Sequence, residues 1–207
     1  MKRFYMFAAG LFLTVTMAAC AAAGGFSNEK IRYKMTVTVE TPEGIKTGSA
    51  VREASRYTEP SILPDQGGTF YNITKGEAVV VDLGQRGVLF VLMDGEREGR
   101  GVIKALTASP AIDFSEMKPK FYPRFVYLRN ARDARSVEGV PQGNLDVIYG
   151  QGVALKQINI EKTNDDISFS INKYLPWIDT TFGYISGNRI NGPTLFETLD
   201  SGDFLRK

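Results

Sequence analysis

From Ile31 to Glu40 apolar and polar residues alternate without a fault: Ile31, Tyr33, Met35, Val37 and Val39 against Arg32, Lys34, Thr36, Thr38 and Glu40. A period of two sends each set to its own face, so the segment is predicted as a strand with one buried and one wet face. "TPEG" (41–44) follows, with Pro42 and Gly44 at the second and fourth positions of a type I turn, and "IKTGSAVREASRY" (45–57) returns as the partner strand. Residues 58–69 hold Pro60, Pro64, Gly67 and Gly68 and are read as a surface loop. A second hairpin comes next: "EAVVVDL" (77–83), the turn "GQRG" and "VLFVLMD" (88–94). Its strands are apolar almost throughout, which suits a sheet covered on both faces.

Further along, "GVIKALTAS" (101–109) is read as a short helix before Pro110, and "RFVYLRN", "VALKQINIEK" and "TTFGYIS" as strands. "PQGNLDVIYG" (141–150) looks like a helical turn closed by Gly150. "DDISFSINKYLPW" (165–177) fits both a strand through Ile167, Phe169 and Ile171 and a helix capped by Asp166. No repeat and no linker divides the chain. The expected fold is α+β, mostly antiparallel β, in one domain over 31–207 with a long N-terminal hairpin and a few short helices.

The N-terminus departs from this pattern. Lys2 and Arg3 precede 16 residues, Phe4 to Ala19, without a charged side chain, the layout of a secretory signal and too short for a membrane-spanning helix. Two endings compete. Met17-Ala18-Ala19-Cys20 reads as a lipobox, although Leu is the more usual residue where Met17 stands; residues 1–19 are then a lipoprotein signal peptide, Cys20 is acylated, and 20–30 form a lipidated tether. Alternatively an ordinary signal peptidase cuts within Ala21-Ala22-Ala23 and Cys20 is lost. The lipoprotein reading is preferred because the lone cysteine follows the apolar stretch directly, behind two alanines. Ala21, in place of Asp, resembles the pattern of lipoproteins sent to the outer membrane, facing the periplasm.

Removal of residues 1–19 takes away Lys2 and Arg3 and no acid, so the formal charge falls from +2 to zero. A neutral chain gives no global attraction to nucleic acid, and an anionic partner has to be met by a local patch. With Cys20 acylated or removed, no thiol remains for a disulfide. The chain contains no histidine. That removes the usual base near neutral pH, Ser-His and Cys-His nucleophile pairs and the commonest zinc ligand, and neither a metal nor a cofactor is expected.

Several short motifs are set aside on physical grounds. "SEMK" (115–118), "SGN" (186–188) and "KTG" (46–48) match penicillin-binding elements one by one, but Pro119 stops the helix that S-x-x-K requires, and K-T-G comes first instead of last. "GEREGRG" (95–101) lacks the spacing of a phosphate loop and is read as an exposed turn of mixed charge. Asp165-Asp166 is read as a turn and a helix cap. The unusual patch is "KPKFYPRFVYLRNARDAR", with six basic residues and one acid between Lys118 and Arg135, interleaved with Phe121, Tyr122, Phe125 and Tyr127. Such a mixture can grip phosphates or lie at a lipid headgroup surface, or it is a core strand with solvated arginines. Alternation places Arg124 with Val126 on the open face and draws Arg129 in with the aromatics, which leaves Arg124, Arg132 and Arg135 as candidate contacts to an anionic lipid or envelope polymer.

The stretches "RYKMTVTVETPEGIKTGSAV", "GEAVVVDLGQRGVLFVL", "RFVYLRNARDARSVEGV", "GQGVALKQINIEKT" and "INKYLPWI" together resemble a family of small hypothetical proteins and lipoproteins of proteobacteria that carries no assigned activity. The resemblance implies a bacterial source and secretion, and carries over no functional residue. Two functions are expected from different classes. The first is an envelope lipoprotein, attached to the membrane by its lipid, with a non-catalytic binding or structural domain. The second is a small hydrolase of the envelope using carboxylates such as Asp82 or Asp94.

Overall fold

The computed structural model describes residues 28–59, 68–113, 123–141, 144–181, 185 and 199–207. In chain order the elements are β1 (Asn28–Thr41), β2 (Gly44–Glu59), β3 (Gly68–Glu77), β4 (Val79–Asp82), β5 (Val88–Val91), α1 (Gly95–Ala108), β6 (Ala111–Asp113), β7 (Phe125–Leu128), β8 (Val137–Val140), α2 (Leu145–Tyr149), β9 (Ala154–Lys162) and β10 (Leu205–Arg206). They build two sheets, one of six strands in the order β10-β3-β2-β1-β9-β6 and one of four in the order β4-β5-β7-β8. The fold is α+β and mostly antiparallel.

The first hairpin is the spine. β1 and β2 pair without interruption from Asn28↔Tyr57 to Thr41↔Gly44, and Pro42 and Glu43 make the turn. Gly44 has φ +117°, a conformation that costs a residue with a Cβ more than it costs glycine. Along β1 the alternation holds as expected: Tyr33, Met35, Val37 and Val39 are buried, and Thr36 and Thr38 stay partly open on the other face.

The four-stranded sheet and α1 lie side by side on the inner face of the six-stranded sheet. Val79, Val81, Leu89, Val91 and Phe125 share one core with Met35, Val37, Ala54, Ile73, Ile158 and with Val102 and Leu106 of α1. The opposite face of the small sheet, with Val80, Phe90, Leu92 and Val126, forms a second cluster with Ile171, Leu175, Ile178, Leu199 and Phe204. The continuous apolar runs of β4 and β5 therefore meet cover on both sides. Two glycines mark where layers touch: a Cβ on Gly48 would stand 1.9 Å from the Val80 carbonyl oxygen, and one on Gly99 would stand 2.8 Å from the backbone of Asn72.

Four expectations change. "GEREGRG" is no exposed turn but the first half of α1, because Gly99 lets the helix cross β3 at close range. β3 was hidden by its polar sequence, GTFYNITKGE, in which Ile73 is the one fully buried hydrophobe. Residues 165–177 form neither strand nor long helix; a 3-10 turn covers Ile171–Lys173, and Asp166 is exposed and caps no helix. The first strand begins at Asn28, three residues before the expected domain boundary. Cys20, the "SEMK" and "SGN" motifs and most of "TTFGYIS" lie outside the described residues.

The register makes a test. Val37 is fully buried, so Val37→Asp should lower stability by more than about 4 kcal/mol in urea unfolding, whereas Thr38→Asp on the wet face should cost about 1 kcal/mol or less. Equal costs would mean that the register is wrong, and a reversed order would mean that the strand sits one residue out of it.

Candidate functional site

The basic and aromatic segment turns out to be mostly internal. Phe125 and Tyr127 face the main core and Val126 and Leu128 the second cluster, the alternation expected of it. Arg124 does share a face with Val126, yet that face is closed over by the C-terminal residues. Arg124 is 8% exposed, and its Nη2 stands 2.9 Å from Oδ1 of Asp203. Burial raises the Asp203 carboxyl above its ordinary range, and Arg124 pulls against that shift. Arg124 is thus withdrawn from any surface contact. Arg129, expected inside, is exposed and pairs with Glu138, which also accepts the Tyr127 hydroxyl at 2.5 Å. Arg132 and Arg135 are exposed in the bend between β7 and β8, where Asp133 accepts the Arg135 N–H at 2.9 Å. Lys118, Lys120, Phe121 and Tyr122 lie outside the described residues.

The two carboxylates of the hydrolase reading do not meet. Asp82 pairs with Val88 at one end of the β4–β5 ladder, while Asp94 follows Val91 beyond the other end. Asp82 accepts the Gly84 N–H at 2.8 Å, and Asp94 accepts the Arg97 guanidinium through Nε at 2.6 Å. Each is committed to its own turn. "KTG" sits in β2, and its glycine is the one packed beneath Val80. Among the described residues no cluster of His, Cys, Asp and Glu could hold a metal ion, and no helix is long and apolar enough to cross a membrane.

The constellation that sequence reasoning missed is a buried one. Arg52 on β2 has no exposed surface, and its donors fan out across the core: Nη1 to Glu98 Oε1 at 2.6 Å, Nε to the Glu77 carbonyl at 2.9 Å and Nη2 to the Val91 carbonyl at 2.8 Å. Glu98 on α1 also accepts the Tyr33 hydroxyl at 2.6 Å and the Asp94 N–H at 2.9 Å. Glu77 extends the web, its carboxylate accepting the backbone N–H groups of Ser170 at 2.5 Å and Ile171 at 2.7 Å. Burial, and then the Glu98 charge, raise the Tyr33 phenol well above its ordinary value. Burial alone would lower Arg52, but Glu98 and Tyr33 more than offset it and its guanidinium is held charged. The signal was present: Gly48, Ala50, Arg52 and Ala54 share the core parity of β2, and Glu98, Val102 and Leu106 follow one another at helical spacing. With its partners around it, the web joins β1, β2, β3, β5 and α1 to one another.

Surface clefts also open among the described residues. One, of about 420 Å³, opens at the start of β1 between Glu29, Lys30, Ile31, Arg32, Lys162, Thr163 and Asn164. Another, of about 280 Å³, lies near the C-terminus and includes Ile178, Asp179, Thr181 and Lys207.

Two outcomes test the buried web. Arg52→Met leaves Glu98 buried without its cation and should lower stability by about 3–5 kcal/mol in urea unfolding. Tyr33 stays protonated in the folded chain at a pH where the unfolded chain loses the proton, so its contribution is complete below about pH 10 and declines above it. The stability of wild type should then fall with pH by up to about 1.4 kcal/mol per unit more than that of Tyr33→Phe.

Comparison of the chain with family models, curated proteins and solved structures finds no match to any of them.

Proposed function

We propose that this protein is a lipid-anchored component of the bacterial cell envelope, a lipoprotein whose β-rich domain binds a partner and does not catalyse a reaction. The observation that carries the reading is the position of Cys20: it directly follows a charge-free stretch of 16 residues behind Lys2 and Arg3, with Ala18 and Ala19 before it. The short distance from Cys20 to the first strand supports it. β1 begins at Asn28 and pairs with β2 on one side and β9 on the other, so a tether pulling on Cys20 loads a strand held along both edges. Ala21 after the cysteine favours an outer-membrane destination over an inner one.

For the binding role, support comes from where the polar groups are. The carboxylates a hydrolase would use stand at opposite ends of one hairpin, and the buried ionic groups are occupied with one another. Arg132 and Arg135 stay exposed and are the candidate contacts to an anionic envelope polymer. They lie away from the tether. β7 runs antiparallel to β5, toward the Gly84–Arg86 turn, and Arg86 is bound to Glu43 at the tip of the first hairpin.

The anchor is tested by labelling. Cells expressing the wild-type chain should incorporate labelled palmitate into it, Cys20→Ser should abolish the label, and the mature N-terminus should map to Cys20. Equal labelling of the two chains, or an N-terminus at Ala23 or later, would end the lipoprotein reading.

A further inference from the structure

Large aromatic side chains that stack on each other usually leave water. Tyr57 and Phe70 stack with ring centroids 5.1 Å apart and an interplanar angle of 19°, yet are 38% and 37% exposed. They are direct partners across β2 and β3, and Tyr57 is also the partner of Asn28, the first residue of β1. The pair therefore stands within two strand spacings, about 10 Å, of the point where the tether enters the domain.

The tether limits where that point can be. Eight residue steps separate Cys20 from Asn28, a span of at most about 28 Å. The far tip of the same hairpin, at Pro42 and Glu43, is about 45 Å further along β1. Anchoring through Cys20 thus keeps the Tyr57–Phe70 end of the sheet within reach of the headgroups, a limit that does not apply to the tip.

The charge at this end fits an anionic layer. The cleft of about 420 Å³ opens here, and its lining holds Lys30, Arg32 and Lys162 against the single acid Glu29. Glu29 is 3.5 Å from Arg56, and Lys30 is 3.3 Å from Glu53. Arg32 and Lys162 are exposed and make no ion pair among the described residues. Register places Arg32 on the same outer face as Tyr57, opposite Glu53. Aromatic rings beside long cationic side chains suit a bilayer interface, where the rings sit at headgroup depth and the cations reach phosphate.

We propose that the tether end of the six-stranded sheet is a second membrane contact, with the Tyr57–Phe70 pair seated at headgroup level and the cleft edged by Arg32 and Lys162 receiving the phosphate of an anionic phospholipid. It rests on the lipoprotein reading, which keeps this end of the sheet near the bilayer. One short tether would otherwise leave the domain free to tumble; this contact fixes β1 and β2 to the bilayer and turns the Arg132 and Arg135 end outward.

The test uses vesicles of phosphatidylethanolamine and phosphatidylglycerol, with and without brominated acyl chains. The full acylated chain is reconstituted as Tyr57→Trp and, separately, as Ile45→Trp, a position on the same face near the far tip and 49% exposed. The emission of Trp177 is subtracted with the unsubstituted chain. Bromine should cut the added emission at least twofold at position 57 and leave it nearly unchanged at position 45. In a second arm the unacylated mature chain, carrying Cys20→Ser, is sedimented with the same vesicles. Its partitioning should drop at least fivefold in Tyr57→Ser/Phe70→Ser and in Arg32→Gln/Lys162→Gln, and should fade in wild type as salt rises. A palmitate-bearing chain quenched equally at both positions, or at neither, would overturn the contact and leave the anchor standing. Binding that depends on the patch in a chain that takes up no palmitate would uphold the contact and remove the anchor. Partitioning indifferent to both double substitutions would overturn the contact whatever the acylation.

Discussion

One guanidinium in a dry interior sets the relation among most of the parts of this fold. Arg52 reaches from the centre of the large sheet to a helix carboxylate, to the carbonyl that ends β3 and to the carbonyl that ends β5. Without it the Glu98 carboxylate would be a buried charge lacking its cation, and Arg52 would be an unpaired buried charge without Glu98. A buried ion pair of this kind adds little net stability over a well-packed apolar substitute. Its geometry, however, is demanding: the planar donor fork meets its acceptors only when β2, β3, β5 and α1 occupy one arrangement. Gly76 shows how tight that arrangement is, since a Cβ there would lie 2.8 Å from the Arg52 side chain.

The second layer of organisation is the C-terminal closure. Residues 199–206 run over the outer face of the small sheet, where the Phe204 carbonyl accepts the Ala78 N–H at 2.8 Å and the Asp203 carbonyl accepts the Met93 N–H at 2.9 Å. Phe204 packs edge-on against both Phe90 and Trp177. Arg206 then bonds the Ile73 carbonyl and the Asn72 side chain, both at 2.8 Å, as β10 joins the edge of β3. The last residues thus close the second cluster and finish the large sheet. This closure is also what buries Arg124 against Asp203.

The surface that remains is divided by the long axis of the first hairpin. The end where β1 begins carries exposed aromatics and a cleft rich in cations; the end where β7 meets β8 carries Arg132 and Arg135 on a polar bend. On the proposal of a lipid-anchored chain, these ends would meet different surroundings, one lipid and one beyond the membrane surface.

The sequence alone was enough for what depends on neighbours along the chain. Faultless alternation in β1, the Pro42 and Gly44 turn, the two apolar strands around "GQRG" and the turn ending at Gly150 all rest on local periodicity or local backbone conformation, and each stands where it was expected. What failed were features decided by residues distant in sequence. β3 is polar because α1 crosses its backbone and leaves it few apolar contacts to make; "GEREGRG" is helical because Gly99 fits against Asn72; Arg124 is buried because residues some eighty positions later cover its face. Parity told which face Arg124 would take, and only the tertiary structure decided whether that face met water. The same holds for Arg52: its inward position was legible from the strand period, but a charge can stay there only because Glu98, Tyr33 and two carbonyls converge on it from elsewhere in the chain, and burial of that kind has no local signature.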